Sequence, residues 1–170
     1  MAGSTPPADP KRLALWGMLG GLTFALKMAM AGLPNIEPVS LLVMLFAAVF
    51  GWRSLAAVYV YVGLEILLWG PGLWNLPYLY LWLILFAAAR ALRSVRSPLV
   101  WASLSGGFGL LFGALCVPVQ LLAGGWAAAV SWWIAGIPWD LAHGAGNFVL
   151  ALTLFPLLRR LLVRLARDAE

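Results

Sequence analysis

The chain has 170 residues, 64% of them hydrophobic and only 10% charged, with a mean hydropathy of +0.95. Soluble globular domains run to about 45–50% apolar and about 25% charged residues, so a soluble enzyme, a disulfide scaffold and a disordered chain are excluded. The net charge is +5, yet the basic residues stand at the ends of apolar stretches, which orients a membrane protein and does not describe a nucleic-acid surface.

Residues 1–10 are polar and Pro-containing and read as a disordered tail, without the A-x-A-like site of a cleaved signal peptide. A helical span needs roughly 20 mostly apolar residues. Apolar stretches follow at 12–31, 37–52, 54–70, 76–92, 99–122 and 137–162. The segment Trp126–Gly136 is apolar but short, and is expected to lie at the interface or to re-enter the membrane. Breaks fall at Gly32–Pro38, Gly51–Ser54, Gly70–Pro77 and Arg93–Pro98, where Gly, Pro, Asn and Ser collect. The pattern predicts an all-α integral membrane protein, a compact bundle of six transmembrane helices over residues 11–163, followed by a basic end at 164–170.

Orientation follows from the basic residues. Lys11 and Arg12 precede the first stretch, Arg53 lies between the second and third, and Arg90, Arg93 and Arg96 lie between the fourth and fifth. With Arg159, Arg160, Arg164 and Arg167 after the sixth, ten of the eleven fall on one side. The positive-inside rule then places both termini in the cytoplasm.

Polar residues within apolar stretches are functional candidates, because an ionisable group in hydrocarbon costs several kcal/mol unless paired or hydrated. Lys27, Glu65, Gln120, Asp140 and His143 map to the outer half and Asn147 near mid-membrane, beneath Asn35 and Glu37 in the first outer loop. They outline a polar cavity open to the outside above an apolar inner half. Lys27 and Glu65 lie at equal depth and suit a structural pair. Asp140 suits an N-terminal cap of the sixth helix. Asp140, His143 and Asn147 recur at i, i+3 and i+7, on one helix face. With one histidine and one cysteine, Cys116, neither a disulfide nor a zinc site is expected.

Ten tryptophans are present, and Trp69, Trp74, Trp126, Trp132, Trp133 and Trp139 map to the outer side with Tyr78 and Tyr80. Interfacial belts account for some of them, but the outer excess suits the walls of a site for a ring-bearing ligand. On this basis Trp69, Trp74, Asn75, Tyr78 and Trp133 join the candidate site. Gly17, Gly21, Ala25 and Ala29 repeat every fourth residue, a flat stripe on which another helix can close. A second small-residue cluster comprises Ser103, Ser105, Gly106, Gly107, Gly109 and Gly113. There is no G-x-x-x-x-G-K-S/T loop and no G-x-S-x-G or HExxH pattern. Such a chain binds without an engine of its own.

The segments Pro34-Asn35-Ile36-Glu37-Pro38-Val39-Ser40-Leu41-Leu42, Gly136-Ile137-Pro138-Trp139-Asp140-Leu141-Ala142-His143-Gly144-Ala145-Gly146-Asn147-Phe148 and Ala25-Leu26-Lys27-Met28-Ala29 carry a resemblance. With the size and the six stretches between about Arg12 and Arg160, the sequence resembles the substrate-binding S components of energy-coupling factor (ECF) transporters. The resemblance implies a non-catalytic subunit in a prokaryotic plasma membrane. It would capture a vitamin or related micronutrient from outside, with the outer loops as lid. Delivery would use a transmembrane T component and two ATPase subunits, so ATP is used by the partners and no cofactor is held here. It also implies that the Ala25/Ala29 stripe, supported by Gly17 and Gly21, docks on the T component. Two other classes fit parts of the pattern. A self-sufficient oligomeric transporter or channel would use Lys27, Glu65 and Asp140 as an ion path, though the apolar inner half opposes it. A membrane enzyme would use His143 as base, but residues on one helix face do not orient one another as a dyad.

Overall fold

The computed structural model describes residues 9–33 and 35–168, and among these every regular element is helical. In chain order they are α1 (Pro10–Ala29), α2 (Val39–Val49), a 3-10 turn (Trp52–Ser54) leading into α3 (Leu55–Trp69), α4 (Asn75–Ala91) and α5 (Pro98–Asp168). The expected tail over residues 1–8 lies outside the described residues. Residues 9 and 10 do not belong to it: the Asp9 carboxylate accepts from the Lys11 N–H at 3.1 Å and caps α1, with Pro10 at its first turn.

α5 is two helical arms, 98–124 and 126–168, that meet at Gly125, where φ is 74° and ψ is −177°. That conformation is readily open only to glycine. The expected sixth helix at 137–162 is therefore corrected. Residues 126–136 are helical and continuous with it, so the helix begins eleven residues earlier than expected. Pro138 and Pro156 sit inside the second arm without ending it; a proline removes one N–H donor and kinks a helix, but neighbouring helices can satisfy the freed carbonyl. The arm also runs on to Asp168, so residues 164–168 of the expected basic end are helical. Around Gly125 the arms form a hairpin with Leu122, Trp126, Trp132 and Trp133 exposed and Val119 and Ala129 buried.

α2 is the centre of the bundle, since nine of its eleven residues are buried. It lies between α4 and α5, while α1 packs chiefly on α3. At eleven residues it is roughly 17 Å long, shorter than the expected stretch 37–52. Its end is fixed at Gly51, where φ is 74°, and by the Ser54 hydroxyl, which donates to the carbonyls of Phe46 at 2.9 Å and Gly51 at 2.7 Å. Around α2 the core collects Tyr61, Trp82, Leu85, Phe86, Trp101 and Phe155.

Trp52–Trp69 and Pro98–Ala166 are long and apolar enough to cross a membrane. Large apolar side chains are also exposed along every helix except α2, including Met18, Leu67, Ile84, Leu111 and Leu157. Apolar surface on that scale is unusual for a soluble monomer and supports a membrane protein.

Candidate functional site

A cavity of about 390 Å³ opens where the end of α1, the α1–α2 connection, the end of α3, the start of α4 and both arms of α5 converge. Its lining includes Lys27, Asn35, Glu37, Trp69, Tyr78, Phe112 and His143. Five of the twelve sequence-selected binding residues therefore meet here: Asn35, Glu37, Trp69, Tyr78 and His143.

Lys27 organises the polar groups. It is on α1, at i+4 from Thr23 and i+7 from Gly20, so the face that packs on α3 carries the ammonium to that helix. Its Nζ lies 2.8 Å from Glu65 Oε2, donates to Tyr61 OH at 3.3 Å, and stands 3.8 Å from Glu37 Oε2. It also sits 5.7 Å from the ring centroids of both Tyr61 and Tyr78, a distance at which the faces attract a cation. One ammonium thus faces two carboxylates. Glu65, 2% exposed, lies beneath the cavity with Oε1 unpartnered among the described residues. Glu37, in the connection before α2, is pushed above the usual glutamate range by burial, against the pull of Lys27.

His143 closes the opposite wall. Its ring meets Phe112 edge-on at 5.0 Å, and its Nε2 is buried without a hydrogen-bond partner among the described residues. Glu37 Oε1 lies 3.9 Å from that nitrogen, too far for a direct hydrogen bond. Glu37 and His143 thus face each other across the cavity lining without a bond between them. Behind the lining residues Tyr78 and Phe112 an aromatic cluster runs Trp74–Tyr78–Trp82, with successive centroids 5.7 and 5.6 Å apart, and continues to Phe112.

The other sequence-selected residues have different employment. Asp140 is no helix cap: it lies inside the second arm, and both its oxygens accept from the Gly113 N–H at 3.1 Å, joining the two arms. Asn147 donates to Ser40 Oγ at 3.0 Å and ties the second arm to α2. Thus only His143 of the Asp140/His143/Asn147 face lines the cavity. Asn75 accepts from Gly72 N–H at 2.6 Å and shapes the turn before α4. Trp74 supports Tyr78 from behind, whereas Gln120 and Trp133 lie along the α5 hairpin away from the lining. Asn35, in the left-handed region at φ 55°, donates to the Trp139 carbonyl at 3.2 Å and so joins the first connection to the second arm.

Tyr61 and Phe112 were not among the sequence selections. Both were signalled by spacing: Tyr61 is four residues before Glu65 and Phe112 four after Phe108, on the same helix faces. The stripe on α1 is open among the described residues: Gly17, Ala25 and Ala29 are exposed, Gly21 is half-exposed, and none of their atoms comes within 4 Å of a Cβ placed on either glycine. No group of His, Cys, Asp and Glu among the described residues is arranged to hold a metal ion. Comparison with family models, curated proteins and solved structures gives no match.

Proposed function

We propose that this chain is the substrate-capture subunit of an ATP-driven importer of the ECF type, taking a small ring-bearing micronutrient from outside the cell. In this reading α1 to α4 and the two arms of α5 make six membrane crossings with both termini in the cytoplasm. α2 is short because it crosses inside the bundle, where irregular backbone at its ends is shielded from lipid. The observation that carries the reading is the cavity at the end of the bundle away from the arginines. Its volume of about 390 Å³ falls in the range of small-molecule sites. Aromatic walls from Trp69, Tyr78 and Phe112 suit a flat ring, and Asn35, Glu37 and His143 supply directional polar contacts. Binding is non-covalent, and the Lys27–Glu65 pair holds the floor. The open Gly17/Gly21/Ala25/Ala29 stripe supports docking on a T component, which with two ATPase subunits would supply the energy.

The test is mass spectrometry of small molecules released when the detergent-purified protein is denatured. A stoichiometric ring-bearing metabolite is expected from the wild type, and a much reduced amount from Tyr78→Ala and His143→Ala. An empty preparation whose tryptophan fluorescence does not respond to a panel of vitamins would sink the proposal. Uptake by the chain reconstituted alone, without ATPase subunits, would replace it with a self-sufficient transporter.

A further inference from the structure

The opposite end of the molecule holds a second cavity, of about 520 Å³, between the α4–α5 connection and the last turns of the second arm. Arg96, Arg159, Arg160 and Arg164 line it over a floor of Trp101 and Phe155. The floor is rigid: the two rings stack at 4.1 Å between centroids and 20° between planes. Arg159 is fixed as well. Its guanidinium donates to the carbonyls of Val95, at 2.8 Å, and Arg93, and lies 5.7 Å from the Trp101 ring centroid. These bonds explain Arg159 as a clamp between connection and arm. They leave Arg96 and Arg160 unexplained, for neither makes a hydrogen bond or ion pair with any described residue, and no carboxylate is among the described lining.

Several guanidiniums beside one cavity repel each other unless an anion lies among them, and their planar forks match phosphate oxygens. The first turn of α5, beginning at Pro98 in the same lining, adds the positive end of a helix dipole. A soluble anion would use only these charges. Yet Leu99, Leu157 and Leu161, on the same two arms, are 50–61% exposed. A ligand carrying both a phosphate and hydrocarbon chains satisfies both surfaces. We propose that this cavity binds the phosphate headgroup of one anionic phospholipid, with the acyl chains lying along the exposed leucines. The proposal depends on the chain lying in a bilayer and not on what the first cavity holds, so it goes beyond substrate capture.

The experiment is native mass spectrometry of the delipidated full-length protein in non-ionic detergent. It is titrated with phosphatidylglycerol or with phosphatidylcholine of the same acyl chains. One phosphatidylglycerol per chain is expected to bind well before phosphatidylcholine. Replacing two of the lining arginines, R96Q/R160Q, should weaken it about 30-fold, from the typical worth of a basic residue near anionic lipid. Replacing Arg53, exposed in another connection, as R53Q should leave binding unchanged. Millimolar inorganic phosphate should not displace the lipid. Equal binding of the two lipids overturns the proposal, as does a loss in R53Q matching that in R96Q/R160Q. Displacement by inorganic phosphate overturns it in favour of a soluble anion.

Discussion

α1 and α5 both carry small residues at helical spacing, and the two helices use them in opposite ways. Between the arms of α5 the small residues are closed. A Cβ on Gly109 would stand 2.8 Å from the backbone of Gly144, and one on Gly106 would stand 3.0 Å from Phe148 and 3.2 Å from the Gly144 carbonyl. On α1 no described residue comes within 4 Å of a Cβ placed on Gly17 or Gly21, and Ala25 and Ala29 are exposed, while Gly20, one position round the helix, is pressed against Ala57 and Val60 of α3. The closed face of α1 ends in Lys27, anchored on Glu65. Small residues therefore permit close approach without saying whether the approaching helix is internal or foreign; here α5 supplies its own partner and α1 does not.

Four substitutions test that contrast, in falling order of their expected effect on stability. Lys27→Ala strips the closed face of α1 of its anchor and leaves the Glu65 carboxylate buried and unpaired, at about 3–5 kcal/mol. Thermal unfolding in detergent should register this, and Lys27→Met with Glu65→Leu should recover most of it. If the single variant melts like wild type, the pair does not hold α1 to α3. Gly109→Leu drives side-chain atoms into the backbone of the second arm, which cannot yield as a flexible side chain would, and should cost about 3 kcal/mol. An unchanged melting temperature would mean that the arms are not closed there. Asp140→Asn keeps the shape but weakens the bond to Gly113, and a loss of about 1 kcal/mol is expected. Ala25→Trp, on the open stripe, should alter stability by no more than about 0.5 kcal/mol. It should retain bound ligand while losing uptake in cells that carry the energising subunits. Normal uptake by that variant would show that the stripe docks nothing needed for transport.

Much of the secondary structure was legible along the chain. The apolar stretches at 12–31, 54–70, 76–92 and 99–122 coincide with α1, α3, α4 and the first arm of α5 to within two residues. Their boundaries are set by local chemistry: Pro, Gly, Ser and Asn at the breaks, and Asp9 as a cap. The stretch at 137–162 was drawn too short because Trp126–Gly136, apolar but brief, was set apart from it, whereas the reversal falls at Gly125. A proline inside a packed apolar helix costs one hydrogen bond and a kink, while a reversal of direction needs a backbone conformation that Gly125 can adopt.

The site was legible in composition more than in arrangement. Asn35, Glu37, Trp69, Tyr78 and His143 were selected as polar or aromatic residues near one end of the bundle, and they do share a cavity. Asp140 and Asn147 had the same credentials and are consumed by Gly113 and Ser40 instead. Their i, i+3, i+7 spacing placed them on His143's face, but a helix face is wide enough to meet two neighbours. Which neighbour each residue meets depends on crossing angles and axial offsets between helices distant in sequence.

Hydropathy, charge placement and breaker residues are local quantities, so the order of residues was enough to place most helices and to put the arginines at one end and the buried polar groups at the other. Lys27 choosing Glu65, Asp140 choosing Gly113, and the α1 stripe staying open while the α5 seam closes are relations between segments many residues apart. They arise only when the helices pack, because burial and pairing energies belong to contacts and not to residues.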